Sequence, residues 1–268
     1  MKTKTLISAG CHHLRGDWEK MNEMEYKNFY DRVGKLNGWD FSQVKCISEG
    51  VKWDFYDEVS KRCRKSDILL DIGTGGGEKL LSISDVALFL VGIDLSSGMI
   101  DAAIANLESS RKTNVRILHM DAAQLDFPTN YFNVVSCRHS PFCAKEAARV
   151  LVDGGIFLTQ QVSENDKLNI IEAFGRDRVV VEDGTLKKTY ISELSEAGFS
   201  DIQSFEYDAI EYYKTYEDLV FLLKQTPIIP DFGKCENDFT VLKKFIGENQ
   251  TSKGIMTNSK RFMIIAKK

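Results

Sequence analysis

Several features that would mark a specialised class of protein are scarce or missing in this sequence. There are only four prolines, and nineteen glycines are spread over 268 residues, which excludes a collagen, a mucin-like stalk or a low-complexity chain. The longest apolar run, Val86 to Ile93, is far shorter than the roughly 20 residues that cross a bilayer. The six cysteines form no Cys-x-x-Cys pair, and Cys11-His12-His13 lacks ligand spacing, so no metal site is predicted.

A strong excess of one charge is also lacking. The net charge of −4 argues mildly against a protein that holds nucleic acid by bulk electrostatics. Residues 214–268 carry ten Lys and Arg against six Asp and Glu, which keeps an RNA partner open as the less favoured alternative. The first residues do not show the pattern of a signal peptide, in which a charged stretch is followed by an apolar one. We therefore expect a soluble cytoplasmic protein without a membrane partner. Its oligomeric state is left as monomer or homodimer.

Short apolar runs rich in β-branched residues alternate with helical stretches through the middle of the chain. The runs are nearly continuous in apolar residues, as expected for strands covered on both faces; they lie at 67–72, 88–94, 115–120, 132–137 and 155–162. This strand–helix–strand order predicts a parallel sheet with right-handed crossovers. We therefore predict a doubly wound α/β domain over residues 66–268.

Two regions depart from this alternation. Residues 1–65 are dense in large aromatic side chains, and 18–64 are predicted to form two helices, which either pack on the sheet edge or act as a lid. After the fifth strand, a pair of helical patterns predicts an insert near 215–255. The closing run, Arg261 to Ala266, predicts a last strand.

The strongest chemical signal follows the first predicted strand. Gly73, Gly75 and Gly77 allow positive φ and remove Cβ, so that the backbone can approach a ligand closely. The loop then opens a helix, whose free N–H groups suit an anionic or carboxylate-bearing partner. A dinucleotide loop of the form G-x-G-x-x-G would need glycine at Glu78 or Leu80, and neither frame fits.

Acidic residues follow the next two predicted strands. Asp94 lies about 20 residues beyond the loop, where such folds bind the ribose hydroxyls of a nucleoside, although it could instead cap the next helix. Asp121 and Ala122 follow the third strand; an acid and a small residue there can hold an adenine edge. These features together predict an adenosine-containing ligand at the carboxyl ends of the strands.

In this order the motifs resemble those of the class I S-adenosylmethionine-dependent methyltransferases, closest to the type 11 group. The resemblance covers roughly residues 66–162. The first motif, acid-x-Gly-x-Gly-x-Gly, matches Asp71 to Gly77, while 132–139 looks like the fourth motif and 146–155 like the signature before strand five. The resemblance implies a Rossmann-like, seven-stranded and mostly parallel sheet with an antiparallel last strand. It also implies S-adenosylmethionine as the cofactor.

The resemblance further implies roles for the motif residues. Asp71 and the glycine loop would hold the amino-acid part of the donor, Asp94 the ribose, and Asp121 the adenine edge. The implied cofactor-binding set is Asp71, Gly73, Thr74, Gly75, Gly77, Asp94, Leu95 and Met99 beside the adenine, Asp121, Ala122, and Cys137 near the methionine end.

Residues after the fourth predicted strand are candidates for the acceptor side. His139 could act as a general base near neutral pH, or it could only line the pocket. Arg138 could pair with a carboxylate or phosphate on the acceptor, or be a surface charge. The aromatic candidates for pocket walls are Tyr30, Trp53 and Phe142, together with Tyr26 and Trp39.

The sequence thus predicts a methyltransferase that acts on a small molecule, with the O, N or C atom undetermined. An rRNA or tRNA methyltransferase is the alternative with the same chemistry, although the Asn-Pro-Pro-Tyr type of run seen in amino-methylating nucleic-acid enzymes is missing. A non-catalytic S-adenosylmethionine-binding module and an NAD-dependent oxidoreductase are alternatives of other classes.

Overall fold

The computed structural model describes residues 28, 31, 44–176 and 182–268. Its centre is a nine-stranded sheet in the order β1-β7-β9-β6-β5-β2-β3-β4, with β8 paired to β9. The strands are β1 (Cys46–Glu49), β2 (Ile68–Ile72), β3 (Phe89–Asp94), β4 (Val115–His119), β5 (Phe132–Arg138), β6 (Leu151–Val162), β7 (Ser200–Tyr213), β8 (Gln250–Thr251) and β9 (Gly254–Lys267). Strands β2 to β6 pair in parallel, and β9 runs antiparallel to both of its long neighbours.

Helices cover both faces of this sheet. Within the described residues from 44 onward they are α1 (Phe55–Ser60), α2 (Glu78–Ser82), α3 (Ser97–Ser110), α4 (Ala144–Val150), α5 (Leu168–Phe174), α6 (Thr185–Glu196), α7 (Tyr216–Gln225) and α8 (Asp238–Asn249), with a 3₁₀ turn at Ser84–Val86. Along β2, Leu69 packs with α1, α2 and α3, whereas Leu70 packs with α4 and α6 on the other face. Both leucines are fully buried, which explains why this strand is a continuous apolar run.

The predicted fold class, a doubly wound and mostly parallel α/β sheet, is confirmed, but the strand count of seven is wrong. The two additional strands are the two-residue β8 and the edge strand β1. Sequence patterning placed residues 46–49 in a helix, because four residues are too few to show a period of two. They become a strand by pairing with residues 210–213 at the outer edge of β7.

The helices α7 and α8 lie between β7 and β9, in the stretch where the sequence predicts an insert. Thr215 and Asp218 form a capping box that begins α7. Apolar side chains of the two helices form a buried cluster with Ile170 of α5 and Tyr213 of β7. This cluster is separate from the apolar layers on the two faces of the central strands. None of the helices in the described ranges is long and apolar enough to span a membrane.

A buried ion pair joins the start of α5 to β7. Lys167 is 2% exposed, and its Nζ lies 2.6 Å from Glu211 Oε2. The same Nζ donates to the carbonyl of Asn258 on β9 at 2.8 Å. One side chain therefore connects three elements beneath the insert.

We expect Lys167→Ala to destabilise the fold by about 3 kcal/mol, because it leaves the Glu211 carboxylate buried without its cation. Urea denaturation monitored by circular dichroism measures this loss. Lys253→Ala, which breaks a solvent-exposed pair with Glu49, is the matched control and should leave the denaturation midpoint close to that of the native chain. Equal midpoints for the two variants would contradict the structural role of Lys167.

Candidate active site

The loop between β2 and α2 is built from residues with left-handed backbone conformations. Gly73, Gly75 and Gly77 have φ values of 71°, 57° and 77°, which side chains with a Cβ adopt only under strain. The N–H groups of Gly73 and Thr74 both donate to the carbonyl of Ile93 at 2.9 Å, which fixes the loop against β3. A Cβ on Gly73 would collide with the Cβ of Ser140, so the segment after β5 also packs directly on the loop.

Asp94, the last residue of β3, connects this loop to the next helix. One carboxylate oxygen accepts from the Gly75 N–H at 2.9 Å and the other accepts from the Ser96 N–H at 2.9 Å. Burial raises the pKa of Asp94, and these two backbone donors oppose that rise. Ser96 is the N-cap of α3, because its Oγ accepts from the Met99 N–H. The alternative prediction, in which Asp94 only caps this helix, is therefore wrong.

The third strand end lies beside the second. The N–H of Met120 donates to the Asp94 carbonyl at 3.0 Å, and Asp121 accepts from the N–H of Ala123 at 2.8 Å. The ring of His119 is hydrogen bonded to the carbonyl of Leu95 at 2.8 Å. The structure therefore brings the glycine loop, Asp94, Leu95, Asp121 and Ala122 to one edge of the sheet, as predicted, while the side chain of Met99 is buried at 2% exposure.

Asp71 is buried with no exposed surface, just before the glycine loop. Ser136 Oγ donates to one of its oxygens at 2.6 Å, and the Tyr56 hydroxyl of α1 donates to the other at 3.2 Å. Burial raises the pKa of Asp71 to about 6, although these hydrogen bonds and the Arg138 charge oppose the rise. Sequence reasoning missed Tyr56 and Ser136. Strand pairing could have indicated Ser136, since it is the register partner of Asp71.

A second group of polar side chains lies at the ends of β5 and β6. The Trp53 indole N–H donates to Gln160 Oε1 at 2.7 Å, and Gln160 Nε2 lies 3.0 Å from His139 Nε2. Because an indole nitrogen is only a donor, the Gln160 amide must point its NH₂ group at His139. His139 Nε2 is therefore an acceptor, and the neutral ring carries its proton on Nδ1.

The surroundings of His139 keep it neutral. Burial, and then the charges of Arg138 and Arg261, hold the pKa of His139 well below its ordinary value. Its backbone φ of 54° lies in the left-handed region, and its N–H donates to the Gln160 carbonyl at 2.8 Å. Both hydrogen bonds to Gln160 orient the ring firmly beside β6.

Aromatic rings extend this group, which we call the acceptor wall: Trp53, His139, Gln160 and Tyr207. The ring centroids of Trp53 and Tyr207 are 4.6 Å apart in an edge-to-face arrangement. Arg138, the last residue of β5, is the register partner of Gln160 and so lies next to the wall. Gln160 and Tyr207 were missed by sequence reasoning, because nothing in their local sequence marks them.

Other candidates are not brought to this wall. The Phe142 ring packs 4.8 Å from Phe157 and 4.9 Å from Tyr190, on the opposite face of the sheet from Trp53. The side chain of Cys137 is fully buried on that same opposite face, so only its backbone could face a ligand. Tyr30, with Tyr26 and Trp39, lies outside the described residues.

The sheet edge that carries the glycine loop, Asp94 and Asp121 is called the cofactor edge. One described residue of the N-terminal segment contacts it. The Asp31 carboxylate accepts from Ser96 Oγ at 2.8 Å and from the Gly98 N–H at 3.4 Å. A Cβ on Gly98 would collide with the carbonyl of Asp31. Asp31 thus lies directly on the first turn of α3, next to Asp94.

Comparison with known proteins identifies the central part of the chain. Residues 69–155 match the family model described as a methyltransferase domain. The uncharacterized methyltransferase YcgJ of Bacillus subtilis is 31% identical over 125 residues, which are 44% of this chain and 49% of that protein. Protein MJ1252 of Methanocaldococcus jannaschii is 25% identical over 156 residues, 57% of this chain and 58% of that protein. The match spans about half the length of these relatives.

Solved structures with a similar fold extend the match beyond the family model. The crystal structure of YcgJ from Bacillus subtilis superimposes with a TM-score of 0.57 at 20% identity, covering 80% of this chain and 97% of that one. The [4+2]-cyclase SpnF superimposes with a TM-score of 0.54 at 16% identity, covering 91% and 96%. At such identities only the fold is shared. S-adenosylmethionine is the cofactor that the methyltransferase match supports.

Replacing Asp94 should weaken the cofactor site without unfolding the chain. We expect Asp94→Ala to lower the affinity for S-adenosylhomocysteine by about tenfold or more, because the loop and the ribose position lose a carboxylate. Isothermal titration calorimetry measures the change. Asp101→Ala, an exposed carboxylate on α3, is the control and should bind normally. Unchanged binding in the Asp94 variant would remove this residue from the site.

The raised pKa of Asp71 generates an expected pH dependence. The free protein takes up a proton at Asp71 as the pH falls through about 6, and a ligand ammonium group needs the ionised form. The affinity for S-adenosylhomocysteine should therefore fall below pH 6, approaching about tenfold per pH unit. Calorimetry from pH 5 to pH 8 measures the slope. Asp71→Asn should bind more weakly and lose this part of the slope; an unchanged slope would assign the pH dependence to another group.

Proposed function

We propose that this chain, whose residues 69–155 match a methyltransferase domain, is a class I S-adenosylmethionine-dependent enzyme that transfers a methyl group from that cofactor to a small-molecule acceptor. The observation that supports this most is the position of two groups of side chains at one sheet edge. The glycine loop, Asp94 and Asp121 follow β2, β3 and β4, and the acceptor wall lies beside them at the ends of β5 and β6.

The residues of the cofactor edge fit an adenosine-containing, positively charged ligand. Asp94 and Asp121 supply acceptors for hydroxyl and amine groups next to the glycine loop, and Asp71 supplies a buried negative charge. S-adenosylmethionine would supply a methyl group that its positive sulfur already activates. The protein then has mainly to bind the acceptor, orient it and exclude water.

The acceptor wall suits a small planar molecule. The half-buried Trp53 and the buried Tyr207 present aromatic surface, and Gln160 and His139 present polar groups next to it. Aromatic faces at this position would also attract a sulfonium by cation–π interaction. The Asp31 contact with α3 supports the further proposal that the N-terminal segment carrying Asp31 acts as a lid over the nucleoside. The predicted lid of residues 1–65 is too long, because residues 46–49 are a strand of the sheet and α1 packs on its face.

We assign His139 to orienting the acceptor and not to removing its proton. The lone pair of Nε2 already accepts from Gln160, and protonation there would bring two donors face to face. A base whose pKa is held well below its ordinary value also has little driving force for proton transfer. The proton on Nδ1 remains free to donate to an acceptor oxygen.

The contacts of the C-terminal lysines weigh against an RNA acceptor. Lys260 is paired with Asp183, and Lys244 lies 3.8 Å from Glu248. Two of the lysines that motivate the RNA alternative therefore face carboxylates of the same chain. Phosphate contacts would have to displace those carboxylates.

Turnover distinguishes the proposed reaction from binding alone. Incubation with methyl-labelled S-adenosylmethionine and either a small-metabolite extract or total RNA should transfer label to the small-molecule fraction only. Asp94→Ala should lower the incorporation about as much as it lowers cofactor affinity, roughly tenfold or more. Label in RNA would favour the nucleic-acid alternative. Normal S-adenosylhomocysteine binding with no labelled product would contradict methyl transfer to small molecules and favour a binding module or another reaction, such as SpnF's cyclisation.

A further inference from the structure

Arg138 differs from the other cationic side chains near the acceptor wall. Arg261 is paired with Asp166, and Lys167 is paired with Glu211 at 2.6 Å. The Nε of Arg138 is buried without a hydrogen-bond partner, and no carboxylate of the described ranges forms an ion pair with its guanidinium. The residue as a whole is half-buried, but the buried Nε–H lacks an acceptor, so this side chain is suited to an anion that the chain itself does not provide.

The strand register places Arg138 on the acceptor side of the site. It lies two residues after Ser136, and the two side chains therefore share one face of the sheet. On the neighbouring strand it pairs with Gln160, which is hydrogen bonded to Trp53.

The charge of Arg138 acts on Asp71, but that carboxylate is already engaged. It accepts from Ser136 and Tyr56, and we assign it to the ammonium group of the cofactor. S-adenosylmethionine carries two positive groups, a sulfonium and an ammonium, and one carboxylate of its own. Its binding therefore adds a net positive charge to the complex. With the cofactor bound, Arg138 therefore has even less compensation than in the free protein.

We propose that Arg138 binds a carboxylate of the acceptor, so that the substrate is a planar, carboxylate-bearing small molecule packed against Trp53. This inference rests on the proposed function and names the substrate class of the same site. A guanidinium holds a carboxylate through two parallel hydrogen bonds. A phosphate monoester is the poorer match, because it carries nearly two charges and the neighbouring Arg261 and Lys167 are already paired.

Three small probes test the charge preference of this subsite. Benzoate, its neutral counterpart benzamide and phenyl phosphate are titrated by calorimetry into the native chain saturated with S-adenosylhomocysteine. Benzoate should bind about tenfold or more tightly than either of the others. In Arg138→Gln, titrated at pH 8 so that Asp71 stays ionised without the Arg138 charge, this preference should disappear while S-adenosylhomocysteine binds as before. Arg138→Lys should retain part of it, and Arg116→Gln, an exposed arginine on β4, should retain all of it.

The possible outcomes separate this inference from the proposed function. Equal affinities for benzoate and benzamide in the native chain overturn the carboxylate subsite without any variant, as does the absence of benzoate binding. A loss of S-adenosylhomocysteine affinity in Arg138→Gln that persists at pH 8, with a native circular dichroism spectrum, overturns it too, because Arg138 would then hold the carboxylate of the cofactor. A native chain that binds no S-adenosylhomocysteine contradicts the proposed function itself.

Discussion

The Asp71 carboxylate has no exposed surface, and a charge buried in this way has to be stabilised by hydrogen bonds and nearby positive charge. Ser136 of β5 and Tyr56 of α1 provide the hydrogen bonds, while Arg138 contributes positive charge. These contacts hold α1 against the carboxyl edge of the sheet. The position of Trp53, two residues before that helix, therefore depends on the acid that we assign to the cofactor.

The same constraint sets the spacing between the two halves of the site. Side chains of β5 alternate between the faces of the sheet, so Ser136 and Arg138 point the same way about 7 Å apart along the strand. Ser136 donates a hydrogen bond to Asp71, and Arg138 is the register partner of Gln160 in the acceptor wall. One strand thus carries a residue for each half of the site. The distance between these two residues is set by the backbone of β5 and not by a flexible loop.

The sequence predicted the central strands and the cofactor edge well because their signals are local. The predicted strand 88–94 differs from β3 by one residue, and Asp94 is the last residue of both. Two residues of the acceptor wall, Trp53 and His139, were predicted, but Gln160 and Tyr207 were missed because their positions depend on strand register: Gln160 matters because it pairs with Arg138. Aromatic composition suggested both Trp53 and Phe142, but it cannot tell which face of the sheet a loop turns toward.

The central claim is that the glycine loop, Asp71 and Asp94 hold one cofactor whose sulfur faces the acceptor wall. A crystal structure of the chain with S-adenosylhomocysteine measures this most directly. The account predicts ribose hydroxyls on the Asp94 carboxylate, the ammonium group toward Asp71, and the sulfur open toward Trp53 and Gln160. A nucleoside bound elsewhere, or a cleft that accepts only a nicotinamide dinucleotide, would contradict it.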